Sequence, residues 1–139
     1  LTLAYLLDTS IVSIPVSKDP IPEVVERLKR DGAACAIAAP VWHELRFGAS
    51  RLPSGARREA LDGYLRDVVA ASFPILPYDE AAADWHGRER ARLERAGKPP
   101  PFVDGQIAAI AHVHGLTLVT TNAKDFSPFR GVRVVDWRR

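Results

Sequence analysis

The sequence predicts an α/β fold: three α/β/α layers with a central, mainly parallel sheet of four to five strands. Two observations carry this. Short, mostly apolar runs recur at Leu3–Leu7, Cys35–Ala38, Phe73–Leu76, Leu116–Thr120 and Val132–Val135, the pattern of strands buried on both faces. Longer stretches with apolar residues at helical spacing separate them, bounded by proline or glycine, so strand alternates with helix. A chain of 139 residues, 47% hydrophobic, can bury one core without disulfides, and a single domain over 1–139 is expected.

Leu3–Leu7 ends at Asp8-Thr9-Ser10, a strand followed by a helix-capping turn, which sets Asp8 at the strand's carboxyl end. Pro20 and Pro22 open a helix to Asp31, with Val24, Val25 and Leu28 on one face and Gly32 as its stop. After Cys35–Ala38, Pro40 suits a first helical turn. Val41, Leu45, Gly48, Ala49 and Leu52 then recur at helical spacing, leaving Glu44 at the border of the apolar stripe. Pro53-Ser54-Gly55 breaks the pattern, and Ala56–Ala71 repeats Ala60, Leu61, Tyr64, Leu65 and Val68, so the two helices read as an α-hairpin. Beyond Phe73–Leu76, Asp79 caps a helix to Ala96 that Gly97 terminates. Lys98–Pro101 is a stiff loop. Val103, Ile107, Ile110 and Ala111 mark a helix until Gly115, with Asp104 in its first turn.

Composition narrows the setting. Cys35 is the only cysteine and sits in a small apolar run, so it forms no intrachain disulfide and is expected as a buried small hydrophobe in a reducing cytoplasm. Leu1–Leu7 carries no basic residue and is interrupted by Asp8, and no apolar run approaches the roughly 18 residues that cross a bilayer. A cytoplasmic protein, neither exported nor embedded, is expected. The net charge of +2 does not announce a nucleic-acid binder. Arginines nevertheless cluster at Arg51, Arg57, Arg58 and Arg66, at Arg88, Arg90, Arg92, Arg95 and Lys98, and at Arg130, Arg133, Arg138 and Arg139. They either neutralise phosphates or, interleaved with Glu89 and Glu94, form solvated helix faces.

Ligands of open parallel sheets bind beyond the carboxyl ends of the strands. Asp8 follows the first strand, Asn122 and Asp125 follow Leu116–Thr120, and Asp104 and Glu44 lie on helices whose first turns belong at that end. Carboxylates gathered in one cleft repel one another and require protonation or a cation. All-oxygen donors select a hard ion, magnesium or manganese, which activates water and clamps a phosphoryl oxygen, chemistry suited to phosphodiester hydrolysis. Taken singly, each acid also has a plainer reading: Asp8 as a helix cap, Glu44 as a surface carboxylate, Asp104 as a complement to the helix dipole.

Four stretches carry more than spacing does. Leu6-Leu7-Asp8-Thr9-Ser10, the helix from Pro40 to Gly48 around Glu44, Asp104-Gly105-Gln106-Ile107-Ala108-Ala109-Ile110-Ala111, and Leu118 to Phe126 with Thr120-Thr121-Asn122 at its centre run in this order almost from end to end. Together they resemble the signature blocks of PIN-domain ribonuclease toxins of the VapC and FitB type, from type II toxin–antitoxin systems. The closing Val134-Val135-Asp136-Trp137 resembles the last strand of that family.

The resemblance implies an acidic pocket that binds Mg2+ or Mn2+. Asp8 and Asp104 would be direct or near-direct ligands, with Glu44 as the third acid, orienting water or holding a second ion. Many relatives carry an aspartate where Asn122 stands; either Asn122 supplies a neutral ligand or Asp125 serves as the fourth acid. Thr9, Ser10 and Thr120 are expected to hydrogen-bond the acids or the scissile phosphate. The implied function is a toxin that hydrolyses RNA phosphodiester bonds with a metal-activated water. It would act as a homodimer, silenced by a VapB-type antitoxin in a groove near Trp42, Phe47 and Leu52. Core filling is the other use for those three residues.

Other chemistry fits less well. His43, His86, His112 and His114 lack the partners of a tetrahedral zinc site, and nothing near Cys35 activates a thiolate. A haloacid-dehalogenase-like phosphatase needs an aspartate two residues after the first, where Ser10 stands, and a receiver-like signalling domain needs an acidic pair and a late lysine that this sequence does not place. A catalytically degenerate PIN module that only binds RNA or protein remains the alternative within the family.

Overall fold

The computed structural model describes residues 2–139; Leu1, the first residue of the expected domain, lies outside them. Strands β1 (Tyr5–Leu7), β2 (Cys35–Ala38), β3 (Ile75–Leu76), β4 (Thr117–Val119) and β5 (Val134–Val135) form one sheet in the order β3-β2-β1-β4-β5. Every pairing is parallel, with Leu7 opposite Ile37 on one side and Val119 on the other. The connecting helices are α1 (Thr9–Val12), α2 (Pro22–Asp31), α3 (Ala39–Ser50), α4 (Ala56–Tyr64), α5 (Ala70–Ser72), α6 (Glu80–Arg95), α7 (Phe102–His114) and α8 (Ala123–Phe126). This is the expected α/β/α arrangement with a five-stranded parallel sheet.

The central strands are apolar because helices cover both faces. Leu6, Leu7, Ile37, Leu118 and Val119 are fully buried, and each such side chain contributes about 1.5–3 kcal/mol. They fix the carboxyl ends of β1 and β4, where the chain's chemistry gathers. The edge strands β3 and β5 have two residues each, short enough to blunt an exposed edge.

Most element boundaries follow the sequence reading, and the departures have local causes. The first strand is shorter than Leu3–Leu7, although the Ala4 N–H still reaches the Ala34 carbonyl at 2.8 Å. Gly32 does not reverse the chain after α2: with φ of −56° it continues into a 3-10 turn, Gly32–Ala34. The expected continuous helix over Ala56–Ala71 is broken by a π turn at Leu65–Val69, between α4 and α5, which buries both Leu65 and Val69 fully. Gly115 does end α7 in the left-handed region, at φ 65°. Asp79 caps α6 as expected, accepting from the Ala82 N–H at 3.0 Å. Among the described residues, no helix is long and apolar enough to cross a membrane.

One buried ion pair fastens α6 to the C-terminal part of the chain. Glu89, 8% exposed, accepts two hydrogen bonds from the Arg92 guanidinium at 2.7 and 2.8 Å and one from the Arg130 N–H at 2.7 Å. Arg92 also donates to the Pro128 carbonyl at 3.0 Å. The Arg92 hydrogen bonds, helped by the Arg130 N–H, hold the Glu89 carboxyl below its ordinary range against the opposing effect of burial. Its stabilising effect is therefore present above the unfolded-state value and lost as pH falls through the lower folded-state value. Glu89→Gln is expected to destabilise the fold by about 2 kcal/mol near pH 7. Urea melts should show that penalty shrinking below pH 4; a penalty independent of pH would contradict the ion pair.

Candidate active site

The sheet order reverses between β1 and β4: the chain steps from β1 outward to β2 and β3, then returns to lay β4 and β5 on the opposite side. Such a switch point opens a crevice at the strands' carboxyl ends. Asp8 and Thr120 are the first residues beyond β1 and β4, and the Asp8 N–H donates to the Val119 carbonyl at 2.9 Å. Asp8 caps α1, its Oδ1 accepting from the Thr9 N–H at 2.9 Å. Its Oδ2 accepts from the Thr120 hydroxyl at 2.8 Å and the Ser10 hydroxyl at 3.2 Å. The Thr120 and Ser10 oxygens in turn accept from the N–H groups of Asn122 at 3.0 Å and Thr121 at 3.1 Å.

A carboxylate offers about four lone-pair directions, so three donors hold Asp8 rigidly and leave room for one more partner. Ser10 and Thr120 thus stand where the sequence reading put them. Thr9 serves through its main chain instead, and its buried hydroxyl has no partner among the described residues. Sequence reasoning missed Tyr64, whose hydroxyl donates to the Val12 carbonyl at 2.7 Å and braces α1 behind Asp8. Burial pushes that phenol up to about 12. A tyrosine within an aliphatic stripe was the available signal, since a buried phenol needs a partner.

Asp104 sits in the first turn of α7. Burial, and then the negative charges of Asp8, Asp125 and Glu44, raise its pKa to about 6. Among the described residues, no hydrogen bond and no basic residue offsets that rise. All four acids therefore act on one locus. Asn122, at the start of α8, is exposed, and its side chain makes no capping hydrogen bond.

Among the described residues, no three Asp, Glu, His or Cys side chains stand close enough together to hold a metal ion between them. The three acids expected to share an ion are neighbours in their electrostatics but not a ready-made cage. Magnesium asks for less than a cage, since it commonly keeps several waters and takes one or two carboxylates. Asp8, with one open direction, and Asp104, with no donor, fit that requirement.

Glu44 is exposed and stands between two hollows. The first, of about 520 Å³, is lined by Thr9, Glu44, Leu52, Tyr64 and the arginines 51 and 57 among others. The second, of about 480 Å³, includes His43, Phe47, Tyr78, Val103 and Gln106. Of the three residues expected near a groove, Trp42 and Phe47 together line a third hollow of about 370 Å³, and Leu52 lines the first. Trp42 packs partly against the core, Phe47 is 59% exposed on the second hollow, and Leu52 alone of the three lines the first.

Many clustered arginines are engaged locally: Arg58 with Asp62, Arg66 with Asp67, Arg88 with Asp84, Arg90 with Glu94 and Arg138 with Asp136. Asp62 also pairs with Arg46 across the hairpin. Arg51 and Arg57 have no ion-pair partner among the described residues and face the first hollow beside Glu44.

Comparison with known proteins agrees with this architecture. Residues 5–131 match the PIN domain family. The tRNA(fMet)-specific endonuclease VapC of Shigella flexneri is 32% identical over 136 residues, 97% of this chain and 98% of its own length. Toxin FitB of Neisseria gonorrhoeae is 33% identical over 127 residues, 87% of this chain and 89% of its own. Among solved structures, FitAB bound to an IR36 DNA fragment superposes with a TM-score of 0.89 at 28% identity, covering 97% of this chain and 96% of that one. DNA-bound VapBC from Salmonella typhimurium gives 0.83 at 29% identity, covering 98% and 99%. With residues 5–131 matching the family and the similarity running nearly from end to end, the chain belongs to the PIN domain family, in the group of the VapC and FitB toxins.

Proposed function

We propose that this protein is a Mg2+- or Mn2+-dependent endoribonuclease, the toxin of a type II toxin–antitoxin pair. The observation that carries the reading is the convergence of Asp8, Glu44 and Asp125 on Asp104 with no basic residue opposing them. Such a site favours an external cation. The name of the Shigella relative, an endonuclease specific for tRNA(fMet), supports RNA as the substrate.

A bound divalent ion would supply Lewis acidity for activating water and for steadying the charge on a phosphoryl oxygen. Asp8 and Asp104 would hold it. Ser10 and Thr120 keep the Asp8 carboxylate turned toward the site through their hydroxyls. Glu44, on the exposed flank, orients water. Asp125 takes the fourth acidic position, because its charge reaches Asp104, whereas Asn122 carries no charge. Arg51 and Arg57 offer positive charge for the RNA backbone at the rim.

The hollow bounded by Leu52, Leu61 and Tyr64 would take the apolar face of a VapB-type antitoxin segment; the solved FitAB and VapBC complexes support a partner of this kind. Exposed Phe47, Phe102 and Val103 give an apolar surface for the homodimer.

RNA cleavage should require Mg2+ or Mn2+, stop on chelation and return when Mn2+ is restored. Asp8→Asn and Asp104→Asn should each lower kcat/KM by at least about 100-fold, a loss of the size expected when one charged group of a preorganised site is removed. Metal-independent cutting, or variants that cut normally, would refute the reading.

Asp104 also gives a stability signature. Because its folded-state pKa of about 6 exceeds the ordinary 3.8, its contribution favours folding at low pH and is lost as pH rises through 6. In metal-free protein at pH 7.5, Asp104→Asn should therefore raise stability by about 1 kcal/mol after allowance for solvent screening. Thermal melts should show that advantage vanishing near pH 4, and the order reversing in saturating Mg2+ as only the wild type gains. For the partner, Leu52→Glu should weaken antitoxin binding at least about tenfold, the effect of burying an unpaired charge in an apolar contact. RNA cleavage by the isolated variant should stay within twofold of wild type.

A further inference from the structure

Asp8 is fixed by three hydrogen bonds, whereas no hydrogen bond contributes to the state of Asp104. Where the Asp104 oxygens stand thus depends on how the first turn of α7 is seated. That turn meets α6 at an unusually close approach. A Cβ placed on Gly105 would lie 2.0 Å from His86 Nε2, 2.6 Å from Cδ2 and 2.8 Å from Cε1. The imidazole edge therefore fills the volume that any side chain at position 105 would need.

His86 is itself held in place. It is 2% exposed on α6, its Nδ1 shares a hydrogen bond with Tyr78 Oη at 2.8 Å, and the Phe102 ring packs 4.9 Å from it, centroid to centroid. Burial, followed by the nearby Arg90 charge, lowers the His86 pKa and favours the neutral ring. Its Nε2 is buried without a hydrogen-bond partner among the described residues. A bare Nε2 can accept a weak contact from the Gly105 Cα–H, while Nδ1 shares its hydrogen bond with Tyr78 Oη. Simple helix packing has no use for a buried, unpartnered nitrogen, which costs stability where an aliphatic side chain would not.

We propose that His86, braced by Tyr78, is a positioning residue that sets Asp104 through its contact with Gly105. The inference rests on the metal-dependent reading of the Asp104 site. It links the segment after β3 to an acid that lies beyond reach of any spacing rule.

The test uses the full chain, with Mn2+ titrated calorimetrically in the absence of RNA. Gly105→Ala is expected to weaken Mn2+ binding at least tenfold and to lower kcat while KM for RNA stays within twofold. In the double variant His86→Ala, Gly105→Ala, the methyl occupies space the ring has left, and Mn2+ affinity should recover to within threefold of wild type. Wild-type Mn2+ affinity in Gly105→Ala, or no recovery in the double variant, would each overturn the assignment. Should Gly105→Ala not fold, His86→Ala, which only removes atoms, is titrated instead; a fivefold loss supports the role and wild-type affinity overturns it. A wild-type chain that takes up no Mn2+ would refute the metal-dependent reading, and this assignment with it.

Discussion

The repulsion among Asp8, Glu44, Asp104 and Asp125 is the constraint around which the molecule is organised. Charges of one sign push one another toward protonation or apart, and Asp104 is raised by its burial first and then by the charges of Asp8, Asp125 and Glu44. The acids remain neighbours because they are attached to elements that cannot retreat. Asp8 ends a strand whose Leu6 and Leu7 are fully buried, and α7 carries Asp104 just ahead of the buried run Ile107 to Ala111. The apolar core therefore does more than stabilise a fold. It opposes the separation that the acids' own field favours.

The same field explains why the net charge of +2 is a poor guide to the site. Basic residues outnumber acidic ones, yet many arginines are engaged by an acid a turn away or across the hairpin, as Arg88 is by Asp84 and Arg46 by Asp62. None of these guanidiniums offsets the charge at Asp104. Negative potential is concentrated at the strand ends, while Arg51 and Arg57 stand at the margin beside Glu44. Under the proposed function, a polyanionic substrate would find positive charge at that margin beside the acidic centre, an arrangement that suits a phosphodiester.

The central strands were readable because burial on both faces leaves an unbroken apolar run, and Cys35–Ala38 was located to the residue. Edge strands were read too long, since Phe73 and Val132 look β-like but extend past the two residues that pair in each strand. The π turn at Leu65–Val69 carries no distinct periodic signal. For the site, Asp8 satisfied both of its readings at once, as helix cap and as member of the acidic group. The Thr120 to Asp8 hydrogen bond spans 112 positions, a pairing set by the parallel register of β1 and β4 and invisible to local spacing. The three residues expected near a groove were separated for a related reason: apolar character marked Trp42, Phe47 and Leu52 alike, but Trp42 and Phe47 share one hollow while Leu52 lines another.

The contrast between Asp8 and Asp104 follows from what each must keep free. Hydrogen bonds orient a carboxylate, but every donor occupies a lone-pair direction and satisfies part of the negative charge that draws a cation. Three donors on Asp8 leave it a fixed partner with little remaining capacity. A second acid treated the same way would bind a cation weakly. Asp104 instead keeps its oxygens without donors and feels the full repulsion of its neighbours, so its placement has to come from packing, and packing can be that exact only where the backbone itself is the contact surface. Glycine at position 105, with the edge of His86 in the space of the missing side chain, is the local arrangement that reconciles a precisely seated acid with an unencumbered one.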